Sequence, residues 1–218
     1  MIDVLGWAAA VAGATLSLPQ LVRLIRSKVS AGLSLLMWQL LVSAGFGWTV
    51  HGLVVGRPNM WVPNFIVACC SVVIIRLIGR DRALPAWKVW VVPVAVLAAL
   101  VTIDAVWGAV AYGVATSVPQ VIGAFAQFVD VVREVDIRGI SPFFVVAAVV
   151  VQGLWWAWGY LVPEMAVFVS ASANGAVALL TLLWYIARQL GAPPLWPQAR
   201  TADAAHEVAG TPGVDAAV

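Results

Sequence analysis

Seven stretches of about 20 residues, rich in Ala, Val, Leu, Ile and Trp and nearly free of charge, succeed one another along the chain. They cover 4–24, 33–55, 61–78, 86–103, 105–129, 141–162 and 165–187. About 20 apolar residues of helix cross the hydrocarbon core of a bilayer, so the pattern predicts seven membrane helices. The polar breaks between them are short. The tightest is at Asp104, which leaves almost no loop between the fourth and fifth spans. Composition agrees: 63% of residues are hydrophobic, 10% are charged and the mean hydropathy is +0.98, whereas a soluble domain carries about 25% charged residues. The fold class expected is an all-α integral membrane protein. The N-terminus, Met1-Ile2-Asp3, lacks the basic region of a secretory signal.

Charge sets the orientation. With the N-terminus outside, Arg23, Arg26 and Lys28 follow the first span inside, and Arg76, Arg80, Arg82 and Lys88 gather at the inner end of the third. Arg133 and Arg138 follow the fifth span and Arg188 and Arg200 the seventh. That places 11 of the 12 Lys and Arg residues inside and only Arg57 outside, the asymmetry expected of a membrane protein with its C-terminus in the cytoplasm. The net charge of +2 therefore reports contact with anionic lipid on the inner face and gives no reason to expect a nucleic-acid partner. Residues 191–218, rich in Ala, Pro, Gly and Asp, read as a disordered cytoplasmic tail. Their Ala and Val bias suits a GC-rich bacterial genome, hence a bacterial plasma membrane.

The chain repeats itself. Trp7, Gly13, Ser17, Pro19 and Gln20 recur 100 residues later as Trp107, Gly113, Ser117, Pro119 and Gln120. Gly32-Leu33-Ser34, Trp48 and Gly52 recur at an offset of 107 as Gly139-Ile140-Ser141, Trp155 and Gly159. Asn64 finds a partner at Asn174, an offset of 110 that asks for three residues inserted after Gly159. The repeat unit is three helices. Both Pro-Gln helices lead into a basic inner loop, so the copies share one orientation, and an extra span must turn the chain round between them. The division expected is 1–82 for the first repeat, 83–104 for a linker helix, 105–190 for the second repeat and 191–218 for the tail.

This arrangement resembles the SWEET sugar transporters of the PQ-loop superfamily, in a bacterial-type, full-length 3+1+3 form. The residues that carry the resemblance are Pro19-Gln20 through Ser27-Lys28 to Gly32-Leu33-Ser34, and above all Trp48-Thr49-Val50-His51-Gly52 followed by Pro58 and Pro63-Asn64. His51 stands where the family has Tyr, and in the second triplet Ala173-Asn174-Gly175 has Ala where Pro is usual. The resemblance implies two parallel three-helix bundles related by an axis along the membrane normal, a sugar as substrate, and a pair of pocket asparagines, Asn64 and Asn174.

Residue chemistry bears on the same positions. An amide offers donors and an acceptor, which suits a neutral polyhydroxylated ligand; the alternative is that each Asn bonds a neighbouring backbone group and holds helices together. Trp48, Trp155 and Trp158 could present aromatic faces to the C–H face of a sugar ring, or serve in an interfacial belt, where Trp7, Trp61, Trp87, Trp107 and Trp184 are expected. A proline inside a membrane helix frees a carbonyl, so Pro19 and Pro119 are candidate hinges. Ser17 and Ser117 either line the path or satisfy the freed backbone, and Gln20 and Gln120 brace the bend. Gln39 and Gln152 read as helix–helix contacts.

Enzyme readings fail for want of parts: no paired carboxylates, phosphate loop or nucleophile–base set is visible, and the only histidines are His51 and His206. Cys69-Cys70 has no companion ligands for a metal, so no cofactor or metal is expected. No acidic residue falls mid-span; Asp104 and Glu164 lie at outer ends and Asp130 at an inner one. Proton-coupled carriers place such groups within the membrane, so the reading is a uniporter of a neutral mono- or disaccharide working by alternating access. Partners beyond sugar and lipid are limited to another copy of the chain. Two alternatives stand beside it: a PQ-loop carrier of amino acids or other metabolites, proton-linked, and a non-transporting sorting receptor of similar fold.

Overall fold

The computed structural model describes residues 1–27, 34–134, 137 and 140–195; for 16–25, Ser27 and Asp130 it describes backbone only. The chain forms α1 (Ile2–Ser27), α2 (Leu35–Val54), α3 (Pro58–Asp81), α4 (Ala86–Arg133), α5 (Pro142–Leu161) and α6 (Met165–Gln189). Within α4, Gly108 takes φ 78° and ψ −176° and breaks the helix into two limbs, 86–107 and 109–133. That backbone conformation is essentially reserved for glycine. The two limbs match the fourth and fifth spans, so the described residues form seven helices in a 3+1+3 layout. By length and composition alone, α3, α4, α5 and α6 are apolar enough to cross a membrane.

The break falls four residues beyond Asp104, where a connection was expected. The physical reason is that Asp104 has a partner inside the protein: its Oδ2 lies 2.7 Å from His51 Nδ1. A carboxylate held by a donor can sit within a helix without a loop to water. The serines of the two recurring Gly-x-Ser triplets are N-caps. Ser34 Oγ accepts from Met37 N at 3.2 Å and Ser141 Oγ accepts from Phe144 N at 3.4 Å, each satisfying an orphan donor of its helix. Pro58 and Pro142 follow caps at the first helical position, where a missing N–H costs nothing.

In the first bundle α3 packs between α1 and α2; in the second, α6 packs between the second limb of α4 and α5. The bundles meet along α1 with α5 and along α2 with α4. All basic helix ends among the described residues except Arg57 fall on one face, here the basic face; the opposite face holds the N-terminus. On the basic face α2, α3 and the first limb of α4 close around Trp38, Val42, Ile74, Ile75, Ile78 and Val89. Val131, Ile137, Val145 and Tyr185 do the same for the second bundle. The first limb of α4 is tied to α2 by polar bonds too. Gln39 Nε2 donates to the carbonyls of Lys88 and Val89 at 2.8 and 2.9 Å. The Val89 carbonyl is the one Pro93 leaves without its helical donor, so Gln39 repairs it as membrane interiors require.

The hairpins α2–α3 and α5–α6 are built alike. Arg57 N donates to Gly52 O and Glu164 N to Gly159 O, both at 2.8 Å. A Cβ on Gly52 would meet Trp61 N at 2.9 Å, and one on Gly159 would meet Phe168 N at 2.9 Å. Every one of these pairs stands at the offset of 107. The three-residue insertion that the Asn64–Asn174 match requires does not exist: the register of 107 continues into the third helix of each repeat. Asn64 is therefore equivalent to Ala171, and Asn174 to Val67. Of the expected terminal segment, 196–218 lies outside the described residues.

Candidate substrate-binding site

A cavity of about 360 Å³ lies between the bundles. Its walls obey the internal symmetry. Ala44, Gly45 and Trp48 on α2 are matched by Val151, Gln152 and Trp155 on α5; Met60, Pro63 and Asn64 on α3 are matched by Val167, Ser170 and Ala171 on α6. Each pair is 107 residues apart. Ala10, Gly13 and Ala14 of α1 close one side, and their small side chains leave the space open. Among the described residues no ionisable side chain lines it.

Of the residues singled out from sequence, Asn64, Trp48, Trp155 and Gln120 reach this cavity together. Asn64 Nδ2 donates to Met60 O at 2.8 Å, leaving its second N–H and its oxygen for a ligand. Asn174 does not line the cavity. It is 5% exposed and donates to Ser170 O at 2.9 Å, one turn further toward the basic face. Gln152 and Ser170 take the polar positions on the second wall. Neither was expected to do so; for Ser170 the signal that reveals it is the unbroken offset, which pairs it with Pro63, and Gln152 is the counterpart of the cavity residue Gly45. Gln120 Nε2 also donates to Thr116 O at 3.2 Å. Ser117 is buried and donates to Val114 O at 2.8 Å, away from the Ala115 carbonyl that Pro119 frees. Helix α4 runs through Pro119 unbroken. Pro19 lies inside α1, and the side chains of Ser17, Pro19 and Gln20 lie outside the described residues.

Toward the N-terminal face the cavity is roofed by two rings at equivalent positions, His51 and Trp158, which are 2% and 1% exposed. Each rests on a cavity tryptophan: Trp48 meets His51 edge-on at 5.9 Å, and Trp155 meets Trp158 edge-on at 5.7 Å. Each ring also reaches across the bundle interface to the residue that caps the third helix of the other repeat. His51 Nε2 lies 3.1 Å from Glu164 Oε1, and the Arg57 guanidinium lies 5.9 Å from the centroid of the Trp158 ring. Trp158 is thus a roof residue rather than a cavity wall. Two helix caps, Arg57 and Glu164, clamp the bundles together at this end. Trp7, Trp87 and Trp107 are exposed on the outside of the helices.

No protein-family model and no curated protein matches the chain. Among solved structures, the 3.7 Å resolution structure of a eukaryotic SWEET transporter superposes with a TM-score of 0.61. The match covers 87% of this chain and 99% of that one at 14% identity. The fold is SWEET-like. At that identity the likeness is one of architecture, and the walls described above rest on this chain's own residues.

Proposed function

We propose that this chain is a facilitative transporter of a small neutral sugar, a mono- or disaccharide, working by alternating access between two three-helix bundles. The observation that carries the reading is the cavity at the bundle interface. Two tryptophans and the amides of Asn64 and Gln152 face it, and its described walls carry no charge. Aromatic rings match the C–H face of a pyranose, and amides match its hydroxyls. A volume of about 360 Å³ sits at the small end of ligand pockets, which run to about 1,000 Å³. An amino-acid substrate would bring an ammonium and a carboxylate, and a peptide-tail receptor needs a cation for a terminal carboxylate; the walls offer neither. The likeness to a structure described as a SWEET transporter agrees with this reading.

In the plasma membrane the N-terminal face is outermost and the basic face cytoplasmic. The repeats, 1–82 and 105–190, are the rocking bodies, and 83–104 links them. Substrate enters when the roof of His51 and Trp158 parts and leaves when the basic face opens. Uptake into liposomes, measured for a panel of sugars and amino acids with and without a pH gradient, tests the proposal. One or more neutral sugars should equilibrate without accumulation. Uptake of amino acids alone, or sugar accumulation that collapses with a proton ionophore, overturns it.

A further inference from the structure

The roof contains three ionisable side chains that sugar binding does not use. His51 Nδ1 lies 2.7 Å from Asp104 Oδ2, and His51 Nε2 lies 3.1 Å from Glu164 Oε1. They come from three elements: α2, the end of the first limb of α4, and the cap of α6. We propose that His51, Asp104 and Glu164 form a proton-binding site that holds the roof of the cavity shut. The proposal rests on the transport reading only for its kinetic consequence.

The case is one of counting hydrogens. Two nitrogen–oxygen contacts at these distances need a hydrogen in each. A neutral imidazole carries one N–H and one lone pair. With both carboxylates ionised, one contact would set a lone pair against an anion. The closed geometry therefore holds two protons over three groups. Glu164 Oε1 also accepts from Ala166 N at 3.3 Å at the start of α6, so this oxygen already serves as an acceptor. The proposal places the second proton on the imidazole, the group with a nitrogen in both contacts, as an imidazolium bridging two acceptors.

Neighbouring groups give it no substitute. Tyr112 of the second limb of α4 stacks on His51 at 4.8 Å, and its buried hydroxyl meets no partner among the described residues. Arg57, the cation of α3 at this face, lies over Trp158. Asp3 of α1 is exposed, and α5 brings no charged residue to this face. When the bundles separate and water enters, the imidazole loses both of its acceptors, and above about pH 6.5 a solvated imidazole is neutral. Closing the roof then takes up one proton. Opening becomes easier as pH rises, by up to about tenfold per unit for a single linked proton.

Access follows from position. His51 is one turn from the end of α2, and the Asp104 side chain is 17% exposed, so the proton comes from and returns to the N-terminal face. A proton bound and released on one side is not carried across. The site sets how fast the roof opens, and leaves the final distribution of substrate untouched. It therefore makes transport sensitive to pH without coupling it to a proton gradient.

The test needs no substrate. Spin labels at Val54→Cys and Leu161→Cys, in a background lacking Cys69 and Cys70, report the gap between the bundles at the N-terminal face. Reconstituted protein should give a short distance at pH 5.5 and a growing longer population from pH 7 to 9. Nitrogen NMR of labelled histidine, with only His51 and His206 to assign, should show both His51 nitrogens protonated where the short distance dominates. In Glu164→Gln the amide can donate to a neutral imidazole, so the short distance should persist to pH 9; in His51→Gln the pH response should vanish. A distance that does not respond to pH, a His51 with one unprotonated nitrogen in the short-distance state, or an unchanged pH profile in both variants overturns the proposal. If the distance titrates while no sugar is taken up, the transport reading fails and the proton site stands. If sugar is taken up while the distance ignores pH, the proton site fails alone.

Discussion

The register of 107 makes Asn64 and Asn174 unequal, and the inequality can be measured. Asn64→Ala removes an amide that faces the cavity. One of its N–H groups is spent on Met60 O, so a ligand loses one donor and one acceptor. Two hydrogen bonds of about 0.5–1.5 kcal/mol each amount to about 1–3 kcal/mol, or binding weakened by about 5- to 150-fold. The variant gives up only a local side-chain bond to its own helix, so folding should change little. Asn174→Ala should behave the other way. Its amide is buried against Ser170 O, and losing that bond costs about 1 kcal/mol of stability while binding stays close to wild type. Equilibrium sugar binding and sub-saturating liposome uptake read the first quantity, and thermal unfolding of the purified protein reads the second. Loss of binding in Asn174→Ala, with an unchanged unfolding temperature, would refute the register argument and restore the two asparagines as a symmetric pair.

Gly113→Ala should destabilise the protein by about 1–3 kcal/mol, because its Cβ would meet the Ala166 carbonyl oxygen at 2.5 Å; Gly13→Ala, whose nearest contact would be Val151 at 3.7 Å, should leave the unfolding temperature nearly unchanged, and equal effects at the two sites would contradict the packing. A cysteine added at the N-terminus, with Cys69 and Cys70 removed, should react with an impermeant reagent in intact cells while one in the tail does not; the opposite labelling reverses the orientation. Replacing Pro19 and Pro119 together by Ala should hold or raise stability, since alanine is the better helix former, and should slow transport more than it weakens binding. Wild-type turnover in that double variant would make the prolines packing features.

Span count, membrane class and parallel repeats were legible because each rests on a property that accumulates along the sequence: run length, the distribution of Lys and Arg, and a constant offset. The cavity was legible only in part. Trp48 and Trp155 fell out of the offset, but the identity of Asn64 and Asn174 drew the alignment away from it. What holds the register is the pair of backbone bonds from Arg57 to Gly52 and from Glu164 to Gly159, and backbone bonds do not care that one cap is basic and the other acidic. Ser170 was hidden by that slip, whereas Gln152 stood in the correct register and read as a helix–helix contact because its counterpart Gly45 has no polar side chain. The partners of His51 were hidden by distance, since Asp104 and Glu164 lie 53 and 113 residues away and no local pattern joins them. Asp104 read as loop because an isolated carboxylate in an apolar run needs water, and the sequence does not display the imidazole that replaces it.

The linker limb of α4 has a consequence for how the two halves could evolve. Two separate copies of a three-helix unit, assembled as a homodimer, must carry the same residue at both symmetry-related positions. Any change appears twice, and a histidine facing a glutamate on one side would be repeated on the other. By turning the chain round and joining the halves in one polypeptide, span 4 releases each position from its twin. His51 opposite Trp158, Arg57 opposite Glu164 and Asn64 opposite Ala171 are differences that a homodimer of identical halves could not hold. Covalent linkage here supplies freedom to diverge: one half can specialise in sensing while the other keeps the aromatic clamp.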